Sequence, residues 1–192
     1  MLPVNGFGMS AQLLHVVRRL PWIRSVGVFR PLSLFPFIMS RVTQILTAES
    51  PTSEMRPRAE VRAVPGKGLE GDRYFSGTGT FSPKSRNPDY EITFIEQEKI
   101  EAFARESNLP FTSMHTRRNI VTEGVSLNDL VGREFYVGEV RIRGIRLCEP
   151  CNYLAKISFP ETLKGLVHKG GLRAQVLSEG LIRVGDTIRA VE

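Results

Sequence analysis

The chain has 192 residues, 41% of them hydrophobic, which is enough for one domain with a sizeable core and a short extension. Its net charge is +6, but the first 48 residues carry five arginines and no acidic residue, whereas the rest carries 21 Lys+Arg and 20 Asp+Glu. The basic character therefore belongs to the N-terminal segment, and the composition argues against a nucleic-acid-binding surface on the domain.

The N-terminal segment, residues 1–40, is apolar and interrupted by prolines, and we interpret it as a leader outside the domain formed by residues 41–192. Its longest apolar run, 32–39, is too short to cross a bilayer, so no integral membrane span is expected. Three interpretations of the leader stay open. It is a disordered extension, or a result of a wrongly assigned start when translation begins at Met39, or a targeting or membrane-surface segment. The expected location is cytoplasmic, or mitochondrial if the leader is a transit segment.

From Arg41 onward, short segments of strand-forming residues separated by turn residues predict a series of strands. The first strands are expected at 42–46 and 61–64, with a polar loop over 50–57 between them. One longer segment, Glu96–Ser107, has the spacing of an amphipathic helix and acidic residues in its first turn. These patterns indicate a mostly β protein with little helix.

A glycine-rich segment at residues 65–74 contains the pattern G-x-G-x-x-G. A dinucleotide-binding motif of this form opens a helix, whereas no helical pattern follows these glycines. We therefore interpret the segment as a turn that presents Lys67 and Arg73 to a ligand.

Three polar residues, Arg117, Arg118 and Asn119, stand directly before a predicted strand. One interpretation is a solvent-facing edge strand, because charged residues commonly protect such edges. The other is a phosphate-binding site, because a guanidinium group offers forked, permanently charged donors that match phosphate oxygens. The sequence does not decide between the two.

The strand pattern at 140–147 changes phase at Gly144, since Val140 and Ile142 are the apolar positions before it and Ile145 and Leu147 follow it. A β-bulge at this glycine would absorb one residue and keep both later apolar residues in the core. It would leave Arg146 beside Arg143 on the other face. Bulges often redirect side chains next to functional sites, and this one lies just before the first cysteine.

A second helix is expected from Pro160 to a stop at Gly170-Gly171. The residues expected to face the core are Leu163, Leu166 and Val167. Strand patterns at 172–177 and 181–184, and a last strand ending at Val191, complete the chain. The fold that these patterns favour is a closed, antiparallel-rich β-barrel with a few short helices at its rim.

Both cysteines of the chain lie in one C-x-x-C motif, Cys148 to Cys151. Pro150 suits the first position of a helix, which predicts that Cys151 lies in the first helical turn. Unpaired backbone N–H groups and the helix dipole favour a thiolate there, and the thiolate is the form that attacks sulfur or binds a metal. Cys148 is expected in the preceding loop, without that stabilisation.

Other roles for the two cysteines remain open. They can be a purely structural pair, because free cysteines are often buried. A zinc site needs more ligands than one C-x-x-C supplies, and the chain has three histidines. A thioredoxin-like redox pair also begins a helix, but it belongs to a βαβ unit, which the strand pattern does not predict.

Five motifs in order resemble the MOSC domain, a family named for the C-terminal domain of molybdenum cofactor sulfurase. They are G-L-E-G-D-R at 68–73, R-R-N-I-V-T at 117–122, L-N-D-L-V-G-R-E-F at 127–135, L-C-E-P-C-x-x-L at 147–154 and H-x-G-G-L-R at 168–173. The resemblance covers about residues 41–191. It implies a β-barrel domain that binds molybdenum cofactor or carries sulfur.

The resemblance also implies roles for particular residues. The family cysteine, which ligates the metal or carries a persulfide, corresponds to Cys151, with Cys148 as a second candidate reactive residue. By similarity to the mitochondrial amidoxime-reducing component, Arg117 and Asn119 would hold the phosphate of the pterin. The full set of residues expected to bind the cofactor is Arg117, Arg118, Asn119, Arg146, Lys67, Arg73 and Arg173. Pyridoxal phosphate is associated with the family, and no lysine here has a context that demands it.

The chain lacks the N-terminal β-barrel half of that larger enzyme, which supplies further cofactor contacts. Two functions follow from the resemblance: a molybdenum-dependent reductase of N-hydroxylated compounds, and a persulfide module that delivers sulfur to metal centres. In the second, Arg117 and Arg146 would stabilise the charge of the persulfide. A noncatalytic cofactor-binding module is a third. The expected partners are a small-molecule substrate and either a desulfurase or an electron-transfer protein.

Overall fold

A computed structural model describes residues 40–82 and 87–191 of the chain. The predicted leader lies outside the described residues apart from Ser40. No helix in the described ranges is long and apolar enough to cross a membrane.

The described residues form eleven strands, four short α-helices and two 3-10 helices. The strands are β1 (Arg41–Thr47), β2 (Arg56–Arg58), β3 (Glu60–Val64), β4 (Gly68–Leu69), β5 (Ile92–Glu96), β6 (Ile120–Glu123), β7 (Glu134–Val137), β8 (Val140–Leu147), β9 (Leu172–Val176), β10 (Gly180–Arg183) and β11 (Ile188–Ala190). The helices are α1 (Gln97–Ser107), α2 (Ser113–Thr116), α3 (Asn152–Ile157) and α4 (Thr162–Gly165), and the 3-10 helices cover Pro88–Tyr90 and Leu127–Leu130.

Eight strands form one sheet in the order β11-β7-β8-β9-β5-β6-β1-β2, and the other three form a sheet in the order β10-β3-β4. The larger sheet curls into a half-barrel, so the prediction of a closed barrel is wrong. The edge of β1 facing away from β6 has two neighbours. Its first residues meet residues 185–188 through one bridge, Arg41 to Thr187, and backbone hydrogen bonds, whereas Ile45 to Thr47 pair with β2.

One strand pair of the large sheet departs from the predicted antiparallel pattern. Strands β5 and β6 run parallel, with α1 in the connection between them, so the described chain contains a βαβ unit that the sequence did not predict. The C-x-x-C motif does not belong to it. That motif follows β8, whose neighbours β7 and β9 are both antiparallel to it.

Two hydrophobic clusters form the core on opposite sides of β5 and β6. Phe94 and Ile120 belong to the larger cluster, which also includes residues of the three-stranded sheet. Ile95 and Val121 belong to the smaller cluster, which packs under α1. Every residue of β5 is buried, including the polar Thr93 and Glu96, so the strand is covered on both faces.

The predicted bulge at Gly144 is confirmed, because the β8–β9 register shifts between Gly144 and Arg146. Gly144 itself takes the buried position, where an added Cβ would lie 2.1 Å from the Leu130 carbonyl oxygen. Ile145 and Leu147 are half-buried and belong to neither core cluster, so the prediction that they fill the core is wrong.

The second predicted helix is much shorter than expected. Of its three apolar residues Leu166 is buried, whereas Leu163 and Val167 are 38% and 44% exposed. The physical reason is length: α4 spans four residues, too few to keep one apolar face directed at the core.

Candidate functional site

The two cysteines lie at the junction between β8 and α3. Helix α3 begins at Asn152, so the prediction that Pro150 is its first residue is wrong. Cys151 is the N-cap, with extended backbone angles (φ −139°, ψ 164°), and it is half-buried. Cys148 lies in the preceding loop, as predicted, and is buried. Both are free thiols.

Both cysteines line one cleft, whose empty space is about 500 Å³ including open solvent at its mouth. The other lining residues are Arg73, Tyr74, Thr80, Phe81, Thr93, Arg117, Arg118, Glu149, Tyr153, Leu154 and Arg173. Four of the lining residues are arginines and one is a carboxylate, which makes the cleft electropositive. Such surroundings favour an anionic ligand over a neutral one.

Arg118 is the buried cation of this cleft. Its Nε, Nη1 and Nη2 donate to the backbone carbonyls of Gly170, Thr116 and Cys148 at 2.8, 2.9 and 2.8 Å. Burial lowers the pKa of Arg118 from its ordinary value. Within the described residues no carboxylate pairs with it, so its charge favours an anion near the two thiols.

Arg117 fastens the wall of the cleft. It has left-handed backbone angles (φ 60°) at the end of α2, and its guanidinium donates to the carbonyls of Ser53 at 2.5 Å and Pro51 at 2.8 Å. The Tyr153 hydroxyl donates to the same Pro51 carbonyl at 2.9 Å. Burial also lowers the pKa of Arg117. The loop 50–53 is therefore tied to both α2 and α3.

Asn119 belongs to a buried polar network centred on Asp72. Its Nδ2 donates to Asp72 Oδ2 at 3.1 Å and to the Leu46 carbonyl at 3.2 Å, while its Oδ1 accepts from Thr93 Oγ1 at 2.8 Å. Asp72 Oδ2 also accepts from Arg73 Nη1 at 3.2 Å. The network joins the G-D-R and R-R-N motifs and orients Arg73 at the cleft.

Two tyrosines and two arginines form a stack beside the cysteines. The rings of Tyr74 and Tyr90 lie 5.6 Å apart at 16°. The guanidinium carbon of Arg73 lies 4.9 Å from the centre of the Tyr74 ring, and that of Arg173 lies 4.7 Å from the centre of the Tyr90 ring. Burial raises the pKa of Tyr74, so its phenol stays protonated.

The H-x-G-G segment supports the cysteine loop from behind. The Cys148 N–H donates to the Gly171 carbonyl at 2.7 Å, and an added Cβ on Gly170 would lie 2.4 Å from the Cys148 carbonyl oxygen. Glu149, between the cysteines, accepts from the His168 backbone N–H at 2.9 Å and contacts its Nδ1 at 2.8 Å. These contacts fix the loop that carries both thiols.

The structure brings most of the predicted site residues together, but not all. Arg73, Arg117, Arg118 and Arg173 line the cleft with the cysteines, and Asn119 lies behind it. Two predicted cofactor ligands lie elsewhere. Lys67 lines a separate small pocket beside Tyr74 and Tyr90, and Arg146 forms an ion pair with Asp89 at 2.6 Å.

The edge-strand interpretation of residues 117–119 is wrong, because β6 lies between β5 and β1 inside the sheet and Arg118 and Asn119 are buried. Sequence reasoning also missed three contributors: Asp72, Tyr90 and Tyr153. The aspartate stands in the G-D-R motif and was open to inference, whereas neither tyrosine has a local signal.

The fold and the site together define a class of protein: a mostly β domain whose cleft holds two cysteines and is lined by arginines. The family profile described as MOSC domain matches residues 78–189, and the chain belongs to this family. Within the described residues, no three His, Cys, Asp or Glu side chains are grouped to hold a metal ion.

Solved structures share the fold at low sequence identity. The YuaD protein from Bacillus subtilis is 15% identical with a TM-score of 0.66, and the match covers 80% of this chain and 98% of that one. YiiM from Geobacillus stearothermophilus is 20% identical with a TM-score of 0.62, covering 80% and 75%. YiiM from Escherichia coli is 19% identical with a TM-score of 0.58, covering 79% and 70%. No curated protein sequence matches the chain significantly.

Proposed function

We propose that this chain binds the molybdenum cofactor in the arginine-lined cleft and uses Cys151 as the metal ligand or persulfide site. The observation that carries the proposal is the half-buried Cys151 thiol in a cleft with four arginines, of which Arg73 alone has a carboxylate partner within the described residues. The excess positive charge calls for an anionic ligand, and membership of the MOSC family supports the molybdenum cofactor as that ligand.

The donor set fits such a ligand. A thiolate is a soft ligand suited to a sulfur-coordinated metal, and guanidinium groups are suited to a phosphate. Cys151 would supply one ligand, so the cofactor itself must bring the others. Within residues 40–82 and 87–191, the cleft lining includes no lysine for covalent attachment of pyridoxal phosphate.

Each residue of the cleft then has a defined task. Arg118 supplies a buried positive charge in the cleft that also holds Cys151. Arg73 and Arg173 stand at the cleft as donors to oxygen atoms of the ligand. When bound, the cofactor supplies two-electron redox chemistry for cleavage of an N–O bond in an N-hydroxylated substrate.

Sulfur transfer is the second candidate function, and the difference in exposure between the two cysteines favours it. Cys148 is 1% exposed, whereas Cys151 is half-buried and open to the cleft. The Cys151 thiolate would attack the terminal sulfur of a donor persulfide, such as that of a desulfurase. A new S–S bond would form on Cys151, and the donor cysteine would leave as a thiolate.

Anaerobic purification of Cys151→Ser and Cys148→Ser, followed by molybdenum and labile-sulfur analysis, tests the proposal. We expect Cys151→Ser to lose bound metal or sulfur, because a hydroxyl is neither a soft ligand nor ionised near neutral pH. Cys148→Ser should retain much of either. Molybdenum in the wild type supports the reductase or a cofactor-binding module, and labile sulfur without molybdenum supports transfer.

A thioredoxin-like pair predicts a different result. Both substitutions would then be equally damaging, and the wild type would form a reversible Cys148–Cys151 disulfide in graded thiol buffers. Mass spectrometry of alkylated protein detects this disulfide. Equal losses in the two variants would refute Cys151 as the sole reactive residue.

A further inference from the structure

The donors around the cleft are not equally available to a ligand. Arg117 donates to the carbonyls of the loop 50–53, and each side-chain nitrogen of Arg118 donates to a carbonyl. The Asn119 amide donates to Leu46 and Asp72. These bonds use three of the five N–H donors of Arg118 and both N–H donors of the Asn119 amide, and they hold the wall and floor of the cleft together. A ligand therefore finds fewer available donors on these side chains than on a guanidinium that makes no hydrogen bond.

Arg173 is different from these residues. It lines the cleft and is half-buried, and within residues 40–82 and 87–191 no hydrogen bond or ion pair engages its guanidinium. Its position is set by stacking on Tyr90, which in turn stacks on Tyr74. Stacking orients the plane of the guanidinium and leaves its N–H donors, which lie in that plane, available.

Residues of the 3-10 helix Pro88–Tyr90 hold two neighbouring arginines in different positions. Arg146 on β8 and Arg173 on β9 are register partners. Asp89 holds Arg146 through Nε at 2.8 Å and Nη2 at 2.6 Å, away from the cleft lining. The adjacent Tyr90 supports Arg173 at the cleft. Arg146 is therefore a matched comparison for Arg173.

We propose that Arg173, supported by Tyr90, is the principal phosphate-binding residue of the cleft, and that Arg117 and Asn119 have structural roles. Tyr90 is a positioning residue that acts through Arg173. The ligand is a phosphate group, either free or as the monoester of an organic molecule. The inference rests on the proposed function, since it assigns the phosphate contact of the same cleft.

Calorimetric titration of the full chain with inorganic phosphate and with phenyl phosphate tests this assignment. We expect Arg173→Gln to weaken binding by about tenfold or more, because it removes a forked, charged donor, and Arg146→Gln to leave the Kd within about twofold. Tighter binding of phenyl phosphate indicates an organic monoester as the natural ligand, and equal binding indicates a free oxoanion.

Two variants of Tyr90 separate positioning from general stability. Tyr90→Phe keeps the stacked ring and should bind phosphate as the wild type does. Tyr90→Leu removes the ring and should weaken binding by about fivefold at an unchanged melting temperature. Equal Kd values for the two variants would contradict the positioning role.

Failure of this inference is distinguishable from failure of the proposed function. Wild-type affinity in Arg173→Gln, a larger loss in Arg117→Gln than in Arg173→Gln, or no phosphate binding by the wild type would overturn the inference. Absence of molybdenum and labile sulfur, with phosphate binding intact, would reject the proposed function alone.

Discussion

Asn119 shows how one side chain can suggest a ligand contact in the sequence and a structural contact in the fold. Standing beside two arginines, it has the appearance of part of a phosphate site. In the fold it is 4% exposed and bonds to Asp72, Thr93 and Leu46. The neighbours of Asn119 in the sequence therefore suggest a phosphate site, whereas its hydrogen-bond partners come from three other parts of the chain.

Asn119→Ala should accordingly lower the free energy of unfolding by about 2–3 kcal/mol, because buried groups of all three partners lose a hydrogen bond. Urea unfolding measures the change. Asn128→Ala is the control, since Asn128 donates to the His168 carbonyl in an exposed bond, and its loss should cost about 0.5 kcal/mol or less. Equal costs for the two variants would show that the Asp72 network contributes little to stability.

At the scale of elements, close backbone contacts hold the cysteine loop against the sheet. Gly171 precedes β9 with a φ of +96°, and its carbonyl accepts from the Cys148 N–H. An added Cβ there would lie 1.9 Å from the Phe94 carbonyl oxygen, which belongs to β5. A glycine is needed both for the backbone angle and for the space between the loop and the sheet.

Gly171→Ala should therefore lower the free energy of unfolding by about 3 kcal/mol or more, since backbone strain and a clash add together. Gly185→Ala is a matched control, because its φ of +95° is nearly the same and nothing lies within 4 Å of the added Cβ. That variant should lose about 1–2 kcal/mol from backbone strain alone. Chemical denaturation of both proteins gives the comparison, and equal losses would remove the clash from the explanation.

At the scale of the whole molecule, two apolar clusters within the described residues are shared between the sheets and α1. The larger cluster extends from Val42 to Ile188, and the smaller from Leu46 to Leu166. Their described members all follow the predicted leader. The stability of the described domain is therefore expected not to depend on that segment.

Deleting residues 1–38 should leave the melting temperature within about 2 °C of the full chain, because none of the buried residues in these clusters is removed. Calorimetry of both forms measures this, with molybdenum and sulfur content as a second readout that should also be unchanged. A fall of about 5 °C or more would mean that the segment contributes to the folded domain.

Several features of the fold were determined by local sequence. The alternation along β8 and its break at Gly144 predicted the bulge, because a one-residue slip moves side chains to the opposite face. The apolar spacing of Glu96–Ser107 predicted α1 to within one residue. The C-x-x-C motif located the thiols of the cleft, since both cysteines lie within four residues of chain.

Only the tertiary structure decided which polar residues line the cleft. Arg146 and Arg173 both stand in predicted strands, and the sequence does not distinguish their roles. In the fold, Asp89 pairs with Arg146, whereas Tyr90 stacks on Arg173. The neighbours of the β1 edge, β2 and the segment before β11, are likewise brought there by long-range contacts. The physical reason is common to both. Local periodicity determines which face of a strand is buried, whereas the role of a charged side chain or a strand edge depends on partners that packing brings from distant parts of the chain.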